Sequence, residues 1–231
     1  MASFNFGDVD HFYNKYYDLV LRTGLIGVAQ NRTHRAIEKR WSKHDVFEQV
    51  LEVGAGAGAH RQFVKHQYQI YYETDIRVNH ASSNKESSVA DSNLRREFAD
   101  ITQLHYKDAV FDRVIATCLL LHLEKPEIAL REARRVTKNL GVISILVPCE
   151  PGLFLRISRS LLTARKARRL GFQGYGLFNA RDHINYLSGI DEMIRFVFEK
   201  DRIHVSRFPF HWPSWNLNLY YVYTICRGEN D

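Results

Sequence analysis

Val50-Leu51-Glu52-Val53-Gly54-Ala55-Gly56-Ala57-Gly58-Ala59-His60 constrains the fold more than any other stretch. Val50, Leu51 and Val53 read as a short buried strand that runs straight into a turn with glycine at positions 54, 56 and 58. Glycine takes positive φ without steric cost, and it lacks the Cβ that would hold a ligand away from the backbone. Arg61, Gln62, Phe63 and Val64 are expected to begin a helix. A strand, a glycine turn and a helix N-terminus together offer a cradle of N–H groups to a polar or anionic ligand. Three alternating glycines exceed what a ligand-free turn needs.

The turn does not name its ligand. Gly54-x-Gly56-x-x-Ala59 satisfies the loose dinucleotide fingerprint, in which Ala replaces the last Gly. That fingerprint requires an acid after a second strand, to bind ribose hydroxyls. Gln69-Ile70-Tyr71-Tyr72-Glu73-Thr74-Asp75 provides one in Asp75. A nicotinamide cofactor and S-adenosylmethionine both carry an adenosine ribose, so both stay open here.

The remaining pattern alternates strands and helices. Residues 8–40 are expected to be helical, with Val9, Phe12, Tyr13, Tyr16, Tyr17, Val20 and Leu21 at helical spacing, Gly24 and Gly27 as interruptions, and a second helix from about Asn31. The three tyrosines of that stripe read as packing residues. Strands are expected at 49–53, 69–74, 96–100, 111–118 and 141–148. Ala81 to Ser92 reads as loop or weak helix. Pro126 opens a helix carrying Ala129, Ala133, Val136 and Leu140, which Gly141 ends. Asn179 is expected to cap one helix running to Phe198. Arg202 to Phe208 and Leu217 to Cys226 then form an antiparallel hairpin. The expected class is α/β, a doubly wound, mostly parallel sheet with a C-terminal antiparallel hairpin strand, in a single domain over 1–231. Within it lie an N-terminal helical cap (1–45), a cofactor-binding core (46–148), a basic substrate-side insertion (151–178) and a late helix with the hairpin (179–231). The hairpin argues against the all-parallel nicotinamide-binding fold.

Composition excludes several classes. No apolar run approaches the length of a membrane span. The start Met1-Ala2-Ser3-Phe4 lacks a signal-peptide pattern. Cys118, Cys149 and Cys226 are scattered and form no CxxC pair, so a reduced, cytoplasmic protein without a sequence-evident metal site is expected. The net charge of +6 is local: residues 151–171 hold Arg156, Arg159, Arg165, Lys166, Arg168 and Arg169 and no acid. Such a patch suits an anionic partner or a solvated helix face.

Taken in order, the motifs resemble those of the class I S-adenosylmethionine-dependent methyltransferases, in particular the small-molecule group. They are Leu51-Glu52-Val53-Gly54-Ala55-Gly56-Ala57-Gly58, Asp75, Phe98-Ala99-Asp100-Ile101, Phe111-Asp112-Arg113-Val114-Ile115-Ala116-Thr117, Leu121-His122-Leu123, and Ala129 to Val136. Lys138-Asn139-Leu140-Gly141 stands where the group has Lys-Pro-Gly-Gly, a departure confined to a turn. The resemblance implies a Rossmann-like fold and S-adenosyl-L-methionine as cofactor. It implies that Gly54, Gly56, Gly58 and Glu52 hold the cofactor's amino-acid end. Asp75 would accept the ribose hydroxyls, Asp100 and Ile101 would recognise adenine, and Thr117 would line the methionine side.

Methyl transfer needs an oriented nucleophile and, for a hydroxyl acceptor, a base. Candidates past strands four and five are His122, Glu150 and His183. Arg156, Tyr175 and Asn185 are candidates for substrate binding. The insertion mixes arginines with Leu153, Phe154, Leu155, Ile157, Leu161 and Leu162, and ends in Gly171-Phe172-Gln173-Gly174-Tyr175-Gly176, expected as a flexible lid. The expected acceptor is a small anionic molecule, lipid- or nucleotide-linked, methylated on oxygen or nitrogen, with peripheral contact to an anionic membrane as a further expectation. The rivals are an RNA-binding or RNA-modifying enzyme and a non-catalytic interaction protein. Nucleic acid is disfavoured because no recognition module is evident. Oligomeric state is not readable.

Overall fold

The computed structural model describes residues 8–77 and 92–229. Residues 81–91 of the serine-rich stretch lie outside them. Seven strands form one sheet in the order β3-β2-β1-β4-β5-β7-β6. They are β1 (Val46–Val53), β2 (Gln67–Asp75), β3 (Leu94–Phe98), β4 (Phe111–Thr117), β5 (Thr137–Pro148), β6 (Arg202–Phe208) and β7 (Tyr220–Cys226). The first five pair in parallel, and β7 enters antiparallel between β5 and β6. The expected mostly parallel sheet with an antiparallel hairpin strand is therefore the observed one. The order reverses between β1 and β4, and ligands of open α/β sheets bind beyond the carboxyl ends of the strands at such a point.

One face of the sheet is covered by α4 (Pro126–Val136) and α8 (Leu187–Val197). Pro126 starts α4, and Ala129, Leu130, Ala133 and Val136 form its buried stripe, packed with Ile190, Ile194 and the strand residues Leu51, Val114 and Ile143. The other face is covered differently from expectation. The helix expected after the glycine turn is a single 3-10 turn, Arg61–Phe63, followed by extended Val64 and then β2. Too few residues separate the turn from β2 for an α-helix to cross the sheet. The vacant layer is filled by α3 (Gly24–Ile37), whose Ile37 packs with Val50, Tyr71, Ile115, Leu146, Tyr220 and Val222. Gly24 and Gly27 begin this helix and do not interrupt it.

Other elements differ from the sequence expectation. Helix α4 stops at Val136, where the Thr137 hydroxyl donates back to the Ala133 carbonyl (2.6 Å) and Thr137 pairs with Phe111 of β4. Leu140 consequently lies in β5, exposed and with φ +62°, and not on a helical stripe. The expected helix 179–198 is two, α7 (Tyr175–Asp182) and α8, so Asn179 lies inside a helix and is no cap. The break occurs because the Ile184 and Asn185 N–H groups donate to the Leu121 carbonyl (2.9 and 3.1 Å). The insertion is helical: α5 (Leu153–Ser158), a π-helical turn (Arg159–Thr163) and α6 (Ala164–Arg169). Before α3, the chain forms α1 (Val9–His11), a π-helical turn (Phe12–Tyr16) and α2 (Tyr17–Leu21). Phe12, Tyr16 and Val20 pack on Ala167, Phe172, Tyr175 and Phe178. Phe172 and Tyr175, expected in a flexible lid, are only 3% and 9% exposed, pinned by these aromatic contacts.

Candidate active site

Each glycine of the turn is needed for a different reason. All three have positive φ, at +66°, +56° and +70°. A Cβ on Gly54 would lie 2.7 Å from the Leu119 side chain, and one on Gly58 would lie 2.6 Å from the Glu73 carboxylate. Above Gly56 nothing stands within 4 Å. The turn is thus closed beneath and open above. Asp75, the last residue of β2, accepts the Gly56 N–H (2.8 Å) and the Arg77 N–H (2.7 Å), which ties the expected ribose acid to the turn.

The other residues expected around the cofactor fall along the same edge. Thr117 ends β4. Asp100 is exposed, two residues past β3, with one oxygen, Oδ1, accepting both the N–H and the hydroxyl of Thr102 (2.8 and 2.7 Å). Ile101 is buried in the main core. Glu52 is buried, accepts the Tyr71 hydroxyl (2.8 Å), and has its pKa pushed up to about 7 by burial. The expected N–H cradle at a helix N-terminus is not present: no α-helix follows the turn, and the Ala55, Gly56 and Gly58 N–H groups donate to the Thr74 carbonyl, the Asp75 carboxylate and the Ala55 carbonyl.

Behind the turn lies an ionic cluster that sequence reading missed. Arg113 of β4 donates to both oxygens of Glu38 (3.0 and 2.7 Å), and both side chains are fully buried. The Arg113 guanidinium also sits 5.1 Å from the Trp41 ring centre. His60, the first residue beyond Ala59, reaches Glu38 (3.0 Å) through Nε2 and His34 (3.1 Å) through Nδ1. Burial raises the Glu38 pKa, but the His60 and Arg113 contacts outweigh it and hold the carboxyl at about 2. Burial, with His60 beside it, brings His34 down to about 4. No local motif marks these residues; only the separation of Glu38 from Arg113 being closed by the fold brings them together.

The second part of the edge is a cavity of about 360 Å³ between Glu150–Gly152, the inner side of α5 and the π-helical turn, and α7. Its lining includes Glu150, Arg156, Arg159, Tyr175, Asn179 and His183. Glu150 follows β5 and binds His183 Nδ1 and the Arg159 guanidinium through Oε1, while Oε2 accepts the Asn179 amide (3.3 Å). Burial alone would raise the Glu150 pKa, yet His183 and Arg159 hold it below the ordinary carboxylate value. Burial lowers the His183 pKa and outweighs the opposing pull of Glu150. His183 Nε2 stands 3.7 Å from Asp182 Oδ2, beyond hydrogen-bond distance.

His122, in the 3-10 turn after β4, packs edge-on against His183 with ring centres 4.7 Å apart. Its Nδ1 contacts the Asp182 carbonyl (3.0 Å) and carboxylate (3.3 Å). Tyr13 donates to the same carboxylate (2.9 Å), and its ring carries the Arg77 guanidinium at 4.7 Å, two residues past Asp75. The fold therefore gathers His122, Glu150 and His183, with Arg156 and Tyr175 on the same cavity wall. Asn185 lies off that wall: its amide donates to the Leu120 and Leu123 carbonyls and holds the turn bearing His122. Asp182, Tyr13 and Arg159 were missed as site residues. Asp182 resembled an acid in a first helical turn, Tyr13 a packing residue, and Arg159 one of a run of cations. His122, Asp182 and His183 also bring donor atoms within 4.8 Å of one another, a spacing that could hold a metal ion.

Residues 51–145 match a family model described as a methyltransferase domain. A comparison with curated protein sequences finds no match. Solved structures similar to this chain include one from a Haloferax volcanii complex between the Trm112 methyltransferase activator and a methyltransferase (TM-score 0.62, 13% identity, 96% of this chain and 98% of the other). Others are an S-adenosylmethionine-dependent methyltransferase of Thermotoga maritima (0.61, 16%, 94% and 97%) and the N-methyltransferase NodS of Bradyrhizobium japonicum WM9, solved with S-adenosylhomocysteine (0.61, 11%, 95% and 96%). These identities speak for the fold alone. The family match covers the strand, the turn and the acid beside it: residues 51–145 carry a methyltransferase domain, on a fold shared with S-adenosylmethionine-dependent methyltransferases.

Proposed function

We propose that the enzyme methylates an oxygen or nitrogen of a small anionic acceptor bound in the cavity beside Glu150, with His183 as the base. The carrying observation is the contact between Glu150 and His183 Nδ1 at the cavity wall. An ionised carboxylate can only accept, so Nδ1 carries the hydrogen and the lone pair of the neutral ring stays on Nε2. When bound, the cofactor supplies a methyl carbon on a sulfonium that departs as a neutral thioether.

The chain's residues fit that cofactor. Asp75 keeps lone pairs after its two N–H bonds, and the space above Gly56 is open. Asp100 keeps Oδ2 clear of the Thr102 turn for the adenine amine, with Ile101 beside it. Gly54, Gly58, Glu52 and Thr117 would hold the methionine end. On the acceptor side, the acceptor's proton passes to His183 Nε2. The imidazolium so formed lies between the Glu150 and Asp182 carboxylates, and the freed lone pair bonds to the methyl carbon. The charge of Arg159 is matched by Glu150, whereas Arg156 is exposed on the cavity wall and makes no ion pair among the described residues, so it suits an anionic group. His122 and Tyr13 fix Asp182, and Tyr175 forms apolar wall.

The test is a screen of sugar nucleotides, phosphorylated amines and lipid headgroups for methyl uptake, followed by His183→Gln. Turnover should fall by about 10²–10⁴-fold with unchanged affinity for S-adenosylhomocysteine. In the wild type, kcat/KM should fall as pH drops through a value under the ordinary histidine pKa of about 6.5, because protonation removes the lone pair. A His183→Gln enzyme with wild-type turnover would refute the assignment of the base.

A further inference from the structure

We infer that the outer face of the α5–α6 run, together with the β6–β7 loop, docks on an anionic lipid surface. The run has two unlike sides. Leu155, Arg156, Arg159, Ser160 and Ala164 line the cavity. Leu153, Phe154, Ile157 and Leu161 point outward and are each between 44% and 55% exposed. In α5, helical spacing by four residues places Leu153 and Ile157 in one row, and Leu161 follows in the π-helical turn.

The loop joining β6 to β7 continues this surface. Trp212 and Trp215 are 55% and 43% exposed. The loop is tied to the start of α5: the Phe154 N–H donates to the Asn216 carbonyl (2.9 Å), and the Leu153 N–H to the Asn216 side chain (3.3 Å). Gly152 is pressed so closely that a Cβ there would lie 2.3 Å from the Trp215 carbonyl oxygen. Exposed aliphatic side chains flanked by tryptophans in one contiguous patch mark an interaction surface and not scattered surface apolar residues.

Charge selects the occupant. Residues 151–181 and 202–228 contain no Asp or Glu. Lys166 is committed to the Val20 and Thr23 carbonyls, and Arg159 to Glu150. Arg165, Arg168 and Arg169 are exposed and make no ion pair among the described residues. A second copy of the chain would bring the same positive charge against this face and be repelled. A bilayer with anionic headgroups matches both parts: apolar and tryptophan side chains enter the headgroup boundary while arginines meet phosphates. No helix among the described residues is long and apolar enough to cross a membrane, so this is contact from one side. The inference rests on the surface and stands apart from the choice of base or acceptor.

Vesicle co-sedimentation of the full chain tests it, comparing phosphatidylglycerol–phosphatidylcholine vesicles with pure phosphatidylcholine. Binding to the anionic vesicles alone is expected, weakened by salt, with a blue shift of tryptophan emission. Replacing Arg165, Arg168 and Arg169 together by Gln should lower affinity by about a hundredfold, at roughly 1 kcal/mol for each basic residue at the surface. The Trp212→Ser, Trp215→Ser double variant should lose the blue shift. Calorimetric binding of S-adenosylhomocysteine by both variants would show that the fold is intact. No binding by the wild type, or equal binding to both vesicles, overturns the inference. So does a dimer in sedimentation equilibrium that Phe154→Ser with Ile157→Ser converts to monomer.

Discussion

At the glycine turn, main-chain conformation sets the geometry: three left-handed glycines, an Asp75 carboxylate on a Gly56 N–H, and strand ends held in register. Around Glu150, side chains set it: Tyr13 from the N-terminal π-helical turn, His122 from beyond β4, Arg159 from the insertion, and Asp182 and His183 from the end of α7. Apart from Asp75, the first arrangement varies little with side-chain identity outside the glycines. The second needs each named group. A scaffold of this kind can keep its methyl donor fixed and change its acceptor by altering side chains on the helical layer.

That contrast can be broken experimentally. The largest effect should come from Arg113→Met, which leaves Glu38 buried without its guanidinium. A loss of about 3–5 kcal/mol of unfolding free energy is expected in urea titrations. Pairing it with Glu38→Leu should restore much of the loss, since an apolar pair can replace a buried ionic one. Gly56→Ala should cost about 1–2 kcal/mol, the strain of a left-handed residue with a Cβ, and should raise the Kd for S-adenosylhomocysteine in calorimetry. No neighbour would clash, so conformation alone would be measured. Tyr13→Phe removes one hydrogen bond to Asp182 and should cost roughly 1 kcal/mol, visible as lower turnover with unchanged S-adenosylhomocysteine binding. If Gly56→Ala altered turnover alone, or Tyr13→Phe altered cofactor affinity alone, the division between the two regions would fall.

The same contrast explains what could be read from the chain. Val114–Ala116 of β4 and, Glu52 aside, Val50–Val53 of β1 are buried apolar runs because both faces of the sheet are covered, and their ends fix the turn and Thr117. Asp75 was legible because it ends a strand at the expected distance from the glycines. The break after Asp182 was not, because His183-Ile184-Asn185-Tyr186 contains no Gly or Pro and is opened by the distant Leu121 carbonyl. The end of α4 was misplaced because Leu140 continues a helical spacing that strand pairing at Thr137 overrides. His122, Glu150 and His183 were chosen for their places after strands; their contact, and the part of Asp182, follow only from tertiary structure.

The replacement of a crossover helix by α3 has a consequence for how the chain is made. The cluster beneath it joins Ile37 to Tyr220 and Val222, so this layer cannot close until the chain has been synthesised through Val222. Contacts so far apart in sequence form slowly, and Ile37, Val50, Tyr71 and Ile115 can pack on one another before Tyr220 and Val222 complete the cluster. An N-terminal deletion through Ile37 would therefore remove one wall of the sheet from every folding intermediate as well as from the finished enzyme.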